Sequence, residues 1–424
     1  PPGGEDIRVG FTYFNPAGVG SLVPGSSAQG LTDLNPDAEV AALKREARAL
    51  VDYANATGGV NGRTLVAFLY ELSIEDVDQA SRTSKCVRAT EDDHVEAYID
   101  NNGFFTETDF QCFADHGVVY VGLGNTTDRR FLEANHPYVN TTYPALDRTV
   151  RAFVEGLDAS GYLEGARLGV LLDDEPQVRR AYEQVMRPML TARGAEPVDH
   201  AYIHPTDQGA QSSQTASAML RFKTNDVTHV PLVANVLVYL SFSQAAEQQG
   251  YAPRYGFNDY QLMVANGATF KTGSQGVDAV AVSTVTGFFL PASEQHARSA
   301  SDPVDPAQSW RAPGVRRCLD IYSQHLEPDY GNSPNRSTRW GTYCDHFLLR
   351  LDAARAVPGG YSPARWGEGL ETLGSGYAST LSYDQRYGPR VHDGAHSFRY
   401  GVMSEVDGCA CYTPLTQQWS EIGR

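Results

Sequence analysis

At 424 residues the chain is longer than a single hydrophobic core usually serves, so two domains are expected. Its 41% apolar and 10% aromatic residues, with 40 glycines and 23 prolines, exclude a disordered or fibrous chain, and no run approaches the ~18 apolar residues of a membrane-spanning helix. The formal charge of −17, with no basic patch in the sequence, argues against nucleic acid or anionic lipid as a partner and reads as solubility.

From Asp6 onward, apolar or β-branched runs alternate with helical periodicity, the pattern of parallel strands joined by crossover helices. Residues 7–12 form the first expected strand, followed by a Gly/Pro/Ser-rich stretch over 15–30. Asn35 and Pro36 then offer a cap and first turn to a helix whose apolar positions continue to Ala54, ended by Gly58 and Gly59. The spacing predicts a strand over 63–70, a helix over 77–90, a strand over 94–99, a helix over 106–116 and a strand over 118–123. The pattern restarts after Thr142, with helices over 145–160, 178–193, 212–222 and 241–249 and strands over 167–172, 197–203, 227–233 and 254–257. Residues 277–289 read as an extended crossing strand. Helices over 314–326, 343–356 and 364–373 have too little strand beside them for a third α/β domain and are expected to pack on the first lobe, with extended runs over 379–383 and 396–404 returning to the second.

Six cysteines lack the paired C-x-x-C spacing of a zinc site, so disulfides in an oxidising compartment are expected. Neighbouring crossover helices each carry one, which pairs Cys86 with Cys112; proximity pairs Cys318 with Cys344, and Cys409 with Cys411. That last ring is small and strained, so free thiols or another partner stay open for it. The first residues, Pro1-Pro2-Gly3-Gly4, read as a flexible leader of a mature or trimmed export product.

The opening strand, the segment Asn55-Ala56-Thr57-Gly58-Gly59-Val60-Asn61-Gly62-Arg63 and the run from Leu168 to Asp174 resemble the branched-chain-amino-acid type of solute-binding protein, a type I periplasmic binding protein. The likeness covers most of positions 6–290. It implies an α/β fold of two doubly wound, Rossmann-like lobes joined by a three-segment hinge, with a ligand cleft between them. The lobes would comprise residues 1–142 with 286–393, and 143–285 with 394–424, and the hinge would cross near 141–144, 285–288 and 393–397. The implied function is capture of a small amino-acid-like or other carboxylate-bearing solute by lobe closure. The implied partners are that solute and the membrane permease of an ABC importer. A monomer outside the cytoplasm is expected, with a lipid anchor on the precursor allowed and no cofactor, metal or covalent chemistry.

Solutes in open α/β sheets sit outside the carboxyl ends of the strands, which locates the candidate residues. After the first strand come Tyr13 and Phe14, an apolar lip; after the third, Phe104, Phe105 and Thr106; after the fourth, Gly124, Asn125 and Thr126. Alignment with the family makes Thr126 a hydroxyl for a ligand carboxylate, while two phenylalanines replace the family's serine-rich segment. In the second lobe Gln177 and Asn235 stand where the family often has tyrosines. Asp259, beside Tyr260, falls where relatives place an acid for a ligand ammonium group, and reads equally as a helix cap.

Two rival readings have less behind them. A ligand-sensing ectodomain of the same fold would obey the same binding physics with a signalling partner. A hydrolase is argued against by Leu373-Gly374-Ser375-Gly376, which lacks the full nucleophile-elbow spacing, and by histidines without metal-ligand spacing; His346, His392 and His396 would have to converge to hold an ion.

Overall fold

The computed structural model describes residues 6–17, 35–76, 78–101, 103–122, 126–205, 208–264, 275–286, 312, 314–337, 339–406 and 409–423. These fall into two compact units: one from the described residues of 6–17, 35–144 and 312–396, the other from those of 145–286 and 397–423.

The first unit opens with β1 (Ile7–Asn15), α1 (Pro36–Ala56), β2 (Leu65–Ser73), α2 (Gln79–Val87), β3 (Ala97–Ile99), α3 (Glu107–Asp115), β4 (Val119–Gly122), α4 (Arg129–Ala134) and β5 (Val139–Thr141). All five strands are parallel, in the order β2-β1-β3-β4-β5. A central parallel strand is covered on both faces, so β1 reads as a nearly continuous apolar run rather than an alternating one. A side chain at Gly10 would begin 2.6 Å from the Tyr98 ring, so only glycine lets β1 and β3 carry that tyrosine between them.

Local chemistry sets the ends of these elements. Asn35 accepts from Ala38 N at 3.2 Å and Pro36 occupies the first turn of α1. Gly58 (φ +96°) and Gly59 (φ +63°) then reverse the chain, and the Asn55 amide pairs with Leu65 as a strand would: Leu65 N donates to Oδ1 at 2.7 Å and Nδ2 donates to Leu65 O at 3.0 Å. The segment that carries the family resemblance is therefore a mechanical joint between α1 and β2. The short α4 and β5 lie where no element was expected, because six- and three-residue elements carry too little periodicity to be seen.

The second unit runs α5 (Leu146–Ala159), β6 (Gly169–Asp173), α6 (Pro176–Ala181) continuing through a π turn (Tyr182–Met186) into α7 (Arg187–Ala192), β7 (Asp199–Ile203), α8 (Gln208–Thr224), β8 (His229–Val233), α9 (Val236–Gln248), β9 (Arg254–Phe257) and β10 (Val280–Ser283). β11 (Ser397–Val406), β12 (Cys409–Pro414) and β13 (Ser420–Glu421) complete it. The sheet order is β12-β11-β10-β9-β8-β6-β7, parallel from β10 to β7, with β11 antiparallel to β10, β12 and β13. Two differences from expectation have physical causes. α9 begins at Val236 rather than 241 because its first turns are apolar and packed in the core, which hides the helical period. The antiparallel β12 and β13 were not expected, while residues 379–383, expected to be extended, form no strand. The expected strand over 277–289 is represented by β10, with residues from 287 onward outside the described set.

Three further helices, α10 (Val315–His325), α11 (Trp340–Ala356) and α12 (Trp366–Leu373), belong to the first unit and share its core with β1, β3 and α1. The Cys318–Cys344 disulfide joins α10 to α11, and Arg355 donates to Ala54 O and Gly59 O at 3.0 and 2.9 Å, tying α11 to the end of α1. Buried Glu46 accepts from Ser337 N at 2.9 Å, from Ser337 Oγ at 2.5 Å and from the Tyr330 hydroxyl. The second disulfide, Cys86–Cys112, joins α2 to α3. Cys411 is also disulfide-bonded, and the side chain of its expected partner Cys409 lies outside the described residues.

Candidate functional site

In the first unit the carboxyl ends of the parallel strands gather aromatic, amide and charged groups. Phe14, at the end of β1, packs against Phe104 with ring centroids 5.2 Å apart, and both rings are partly exposed. Tyr13 is buried; its hydroxyl donates to Glu71 at 2.8 Å and the Lys44 ammonium sits 4.8 Å from its ring centre, so its polar end is committed within the unit. Phe105 is a correction to the expected aromatic wall: it is buried among Tyr98, Phe113 and Tyr120 and serves the core. Thr106 caps α3 in a reciprocal box with Asp109, whose carboxylate accepts from Thr106 N at 2.8 Å.

Thr126 is fully buried and its hydroxyl donates to Phe105 O at 3.2 Å. A hydroxyl has one proton, so this bond leaves Thr126 only lone pairs to offer, contrary to the expected donation to a ligand carboxylate. Gly124 and Asn125 lie outside the described residues.

Three more residues meet at the end of β3 and the start of α11: Asn101 opens the stretch expected after the third strand, whereas Asp100 and Arg339 were not expected. Asp100 is buried and accepts from the Tyr120 hydroxyl at 2.9 Å, while its carbonyl accepts from His346 Nδ1 at 2.8 Å. Asn101 is buried with neither side-chain Oδ1 nor Nδ2 hydrogen-bonded. Arg339 donates from Nη1 to the Asn101 carbonyl at 2.7 Å, and burial pushes its guanidinium down from the usual arginine range. The only sequence signal for this group was the strand-end position of Asp100 and Asn101; Arg339 is 238 residues further on.

In the second unit the strand ends carry buried acids. Asp173, last in β6, accepts from Asn235 N at 3.1 Å, from Asn235 Nδ2 at 3.3 Å and from Tyr260, and burial pushes its carboxyl up to about 8. Asn235 also caps α9, accepting from Leu237 N and Val238 N at 2.9 and 3.1 Å. Tyr260 is buried, with burial and Asp173 raising its hydroxyl well above its ordinary value. Gln177, in the first turn of α6, is buried with Nε2 unbonded. Asp259 is not the helix cap that its position suggested, for it makes no side-chain cap bond to the turn after it. Instead its carboxylate accepts from Thr284 N at 2.7 Å, Thr284 Oγ1 at 2.9 Å and the Ser283 hydroxyl, at the end of β10, and burial pushes it up to about 6.

Among the described residues, the His, Cys and acidic groups close enough to share an ion are Cys86, Cys112 and His116, and those sulfurs are joined in a disulfide, so they are not thiolate ligands. His346 and His392 do not converge: the first is bound to Asp100 and the second stacks on His136 at 4.1 Å. No helix among the described residues is long and apolar enough to cross a membrane.

The family model described as "Periplasmic binding protein" matches residues 19–301. Among solved structures, the chain is similar to an ABC-transporter solute-binding protein from R. palustris in complex with 4-hydroxybenzoate, at 11% identity and a TM-score of 0.63 over 97% of this chain and 96% of that one. It is similar to a periplasmic binding protein type 1 from Bordetella pertussis at 12% identity, TM-score 0.64, over 97% and 100% of the two chains. A branched-chain amino acid ABC transporter structure from Thermus thermophilus with bound valine matches at 13% identity, TM-score 0.60, over 97% and 96%. No curated protein sequence matches significantly. Likeness at these identities speaks to the fold, two α/β lobes with parallel sheets, and the match to the family model extends over more than half of the sequence. The chain belongs to the type I periplasmic binding protein family.

Proposed function

We propose that this chain is the extracytoplasmic solute-binding component of an ABC importer, taking up a small carboxylate-bearing solute by lobe closure and handing it to a membrane permease. It performs no covalent chemistry in this reading, and it acts as a monomer. The observation that carries the proposal is family membership over residues 19–301, joined to parallel-sheet units whose described strand ends hold polar groups and an aromatic pair. Disulfides at Cys86–Cys112 and Cys318–Cys344 support an oxidising compartment. The solute-facing groups assigned here are Phe14 and Phe104 in the first unit and Gln177, Asn235 and Asp259 in the second.

A thermal-shift screen against a broad metabolite library tests this reading. A ligand at 100 times its Kd adds about 2.7 kcal/mol of stability, enough to stand out from a screen. Stabilisation by one chemical class, followed by stimulation of a permease ATPase by the loaded protein, is the expected result. A screen in which no small metabolite shifts the melting curve overturns it.

A further inference from the structure

We infer that Arg339 and Asn101 form the carboxylate-recognition point of the first unit, together with the Phe14–Phe104 pair from the ends of the adjacent strands β1 and β3, and that the solute is an aromatic carboxylate. This rests on the solute-binding reading and goes beyond it by naming the ligand class and the residues that select it.

The side chain of Asn101 supplies the first reason. It is 1% exposed, and an amide buried without partners costs free energy comparable to lost hydrogen bonds, so such groups in folded proteins are met by something. Here both ends of the amide are unbonded: Nδ2 calls for an acceptor and Oδ1 for a donor. A solute with an acidic group and a hydroxyl or ammonium satisfies both.

The second reason is charge. Arg339 is held at the same point by its 2.7 Å bond to the Asn101 carbonyl. Its neighbours Asp100 and Glu39 are acidic, and the chain as a whole carries −17, so a carboxylate would be repelled from most of the surface. The guanidinium, partly withdrawn from water, is the group here whose planar fork matches a carboxylate, and its desolvation strengthens the attraction.

The third is the body of the ligand. Three residues after Asn101, Phe104 stacks obliquely on Phe14 and both rings keep an exposed part, whereas Phe105 is consumed by the core. Paired aromatic faces favour a flat apolar ring over an aliphatic chain of equal size. Thr126, with its proton given to Phe105 O, does not compete for the acid.

The experiment is calorimetric titration of the full chain with 4-hydroxybenzoate and 4-hydroxybenzamide, and with valine as the aliphatic comparator, repeated on Arg339→Gln and Arg339→Lys. The acid is expected to bind and the amide to bind roughly 10- to 100-fold more weakly, the range for losing a hydrogen bond to a charged group. Arg339→Gln should erase that preference and Arg339→Lys restore part of it, which a merely structural role for Arg339 would not do. An amide that binds as well as its acid, or valine preferred to the aromatic acid, overturns the inference and leaves the solute-binding reading standing. If no metabolite of any class binds, both fall. Should Arg339→Gln fail to fold, the acid-to-amide ratio of the unaltered protein decides the matter.

Discussion

Both units bury carboxylates among several donors, and they use them in different places. In the first unit Glu46 and Asp345 lie away from the strand ends. Glu46, on α1, holds Tyr330 and Ser337; Asp345, on α11, accepts from Thr380 N at 2.7 Å and from the Tyr377 and Ser379 hydroxyls at 3.0 Å. Glu46 latches the chain after residue 312 onto the core built by the first third of the sequence, and Asp345 latches two parts of that later chain, α11 and residues 377–380, to each other. In the second unit Asp173 and Asp259 sit where strands end, and each holds the end of its strand to a neighbouring segment. The same chemistry is a latch at Glu46 and Asp345 and a strand-end polar centre at Asp173 and Asp259, as it is at Asp100 in the first unit, so a buried acid identifies a binding residue only when its position in the sheet is known.

The largest expected effect comes from breaking a latch. Glu46→Ala leaves Ser337 N, Ser337 Oγ and the Tyr330 hydroxyl without their acceptor and should cost about 3 kcal/mol. Because two units need not unfold together, hydrogen exchange is the suitable measurement: amides of α10 and α11 should lose protection while those of β6 to β9 keep theirs. Uniform loss across both units would erase the distinction between latch and strand-end acid.

Asp259→Asn sharpens the comparison from the other side. If this acid meets a ligand ammonium group, an amino-acid solute should lose roughly tenfold or more in affinity while an acid lacking the amine is unaffected. Equal loss for both would assign Asp259 to holding β10 alone.

Titration gives a smaller effect with a definite sign. Asp173 has its native value raised to about 8 from an ordinary 3.8, so the folded protein binds more protons than the unfolded one between those limits and stability falls as pH rises through them. Asp173→Asn, which imitates the protonated acid, should flatten that part of the slope and be nearly neutral at pH 5, as read by urea melts at pH 5 and 8. His136 and His392 act oppositely: burial lowers both, His392 to about 4, so their contribution falls as pH drops below 6.5. His392→Gln should weaken that acid-side loss, the smallest of these changes.

Much of the fold was legible because its signals are local. The apolar run of β1, the Asn35-Pro36 start of α1 and the Gly58-Gly59 exit each state a backbone preference in a few adjacent residues, and the structure uses all three. Neighbouring crossover helices brought Cys86 to Cys112 by the same local reasoning. The start of α9 escaped because its first turns are apolar and largely packed in the core, which hides the amphipathic period, and β5 because three residues are too few to show one. Phe105 could not be told from Phe104: adjacent residues in a loop have the same composition, and only packing against Tyr98, Phe113 and Tyr120 sends one inward.

The sequence by itself determined the class of fold, the family, and the order of strands and helices along most of the chain, since these follow from hydrophobic period and turn chemistry within short windows. Tertiary structure alone decided which polar atoms have partners. Glu46 meets Ser337 across 291 positions and Arg339 meets Asn101 across 238, and no local pattern encodes contacts made by chain closure at such distances. Hydrogen-bond satisfaction belongs to pairs brought together by the fold, which is why Thr126 reads as a donor to the ligand in the sequence although its hydroxyl donates to Phe105 O in the structure.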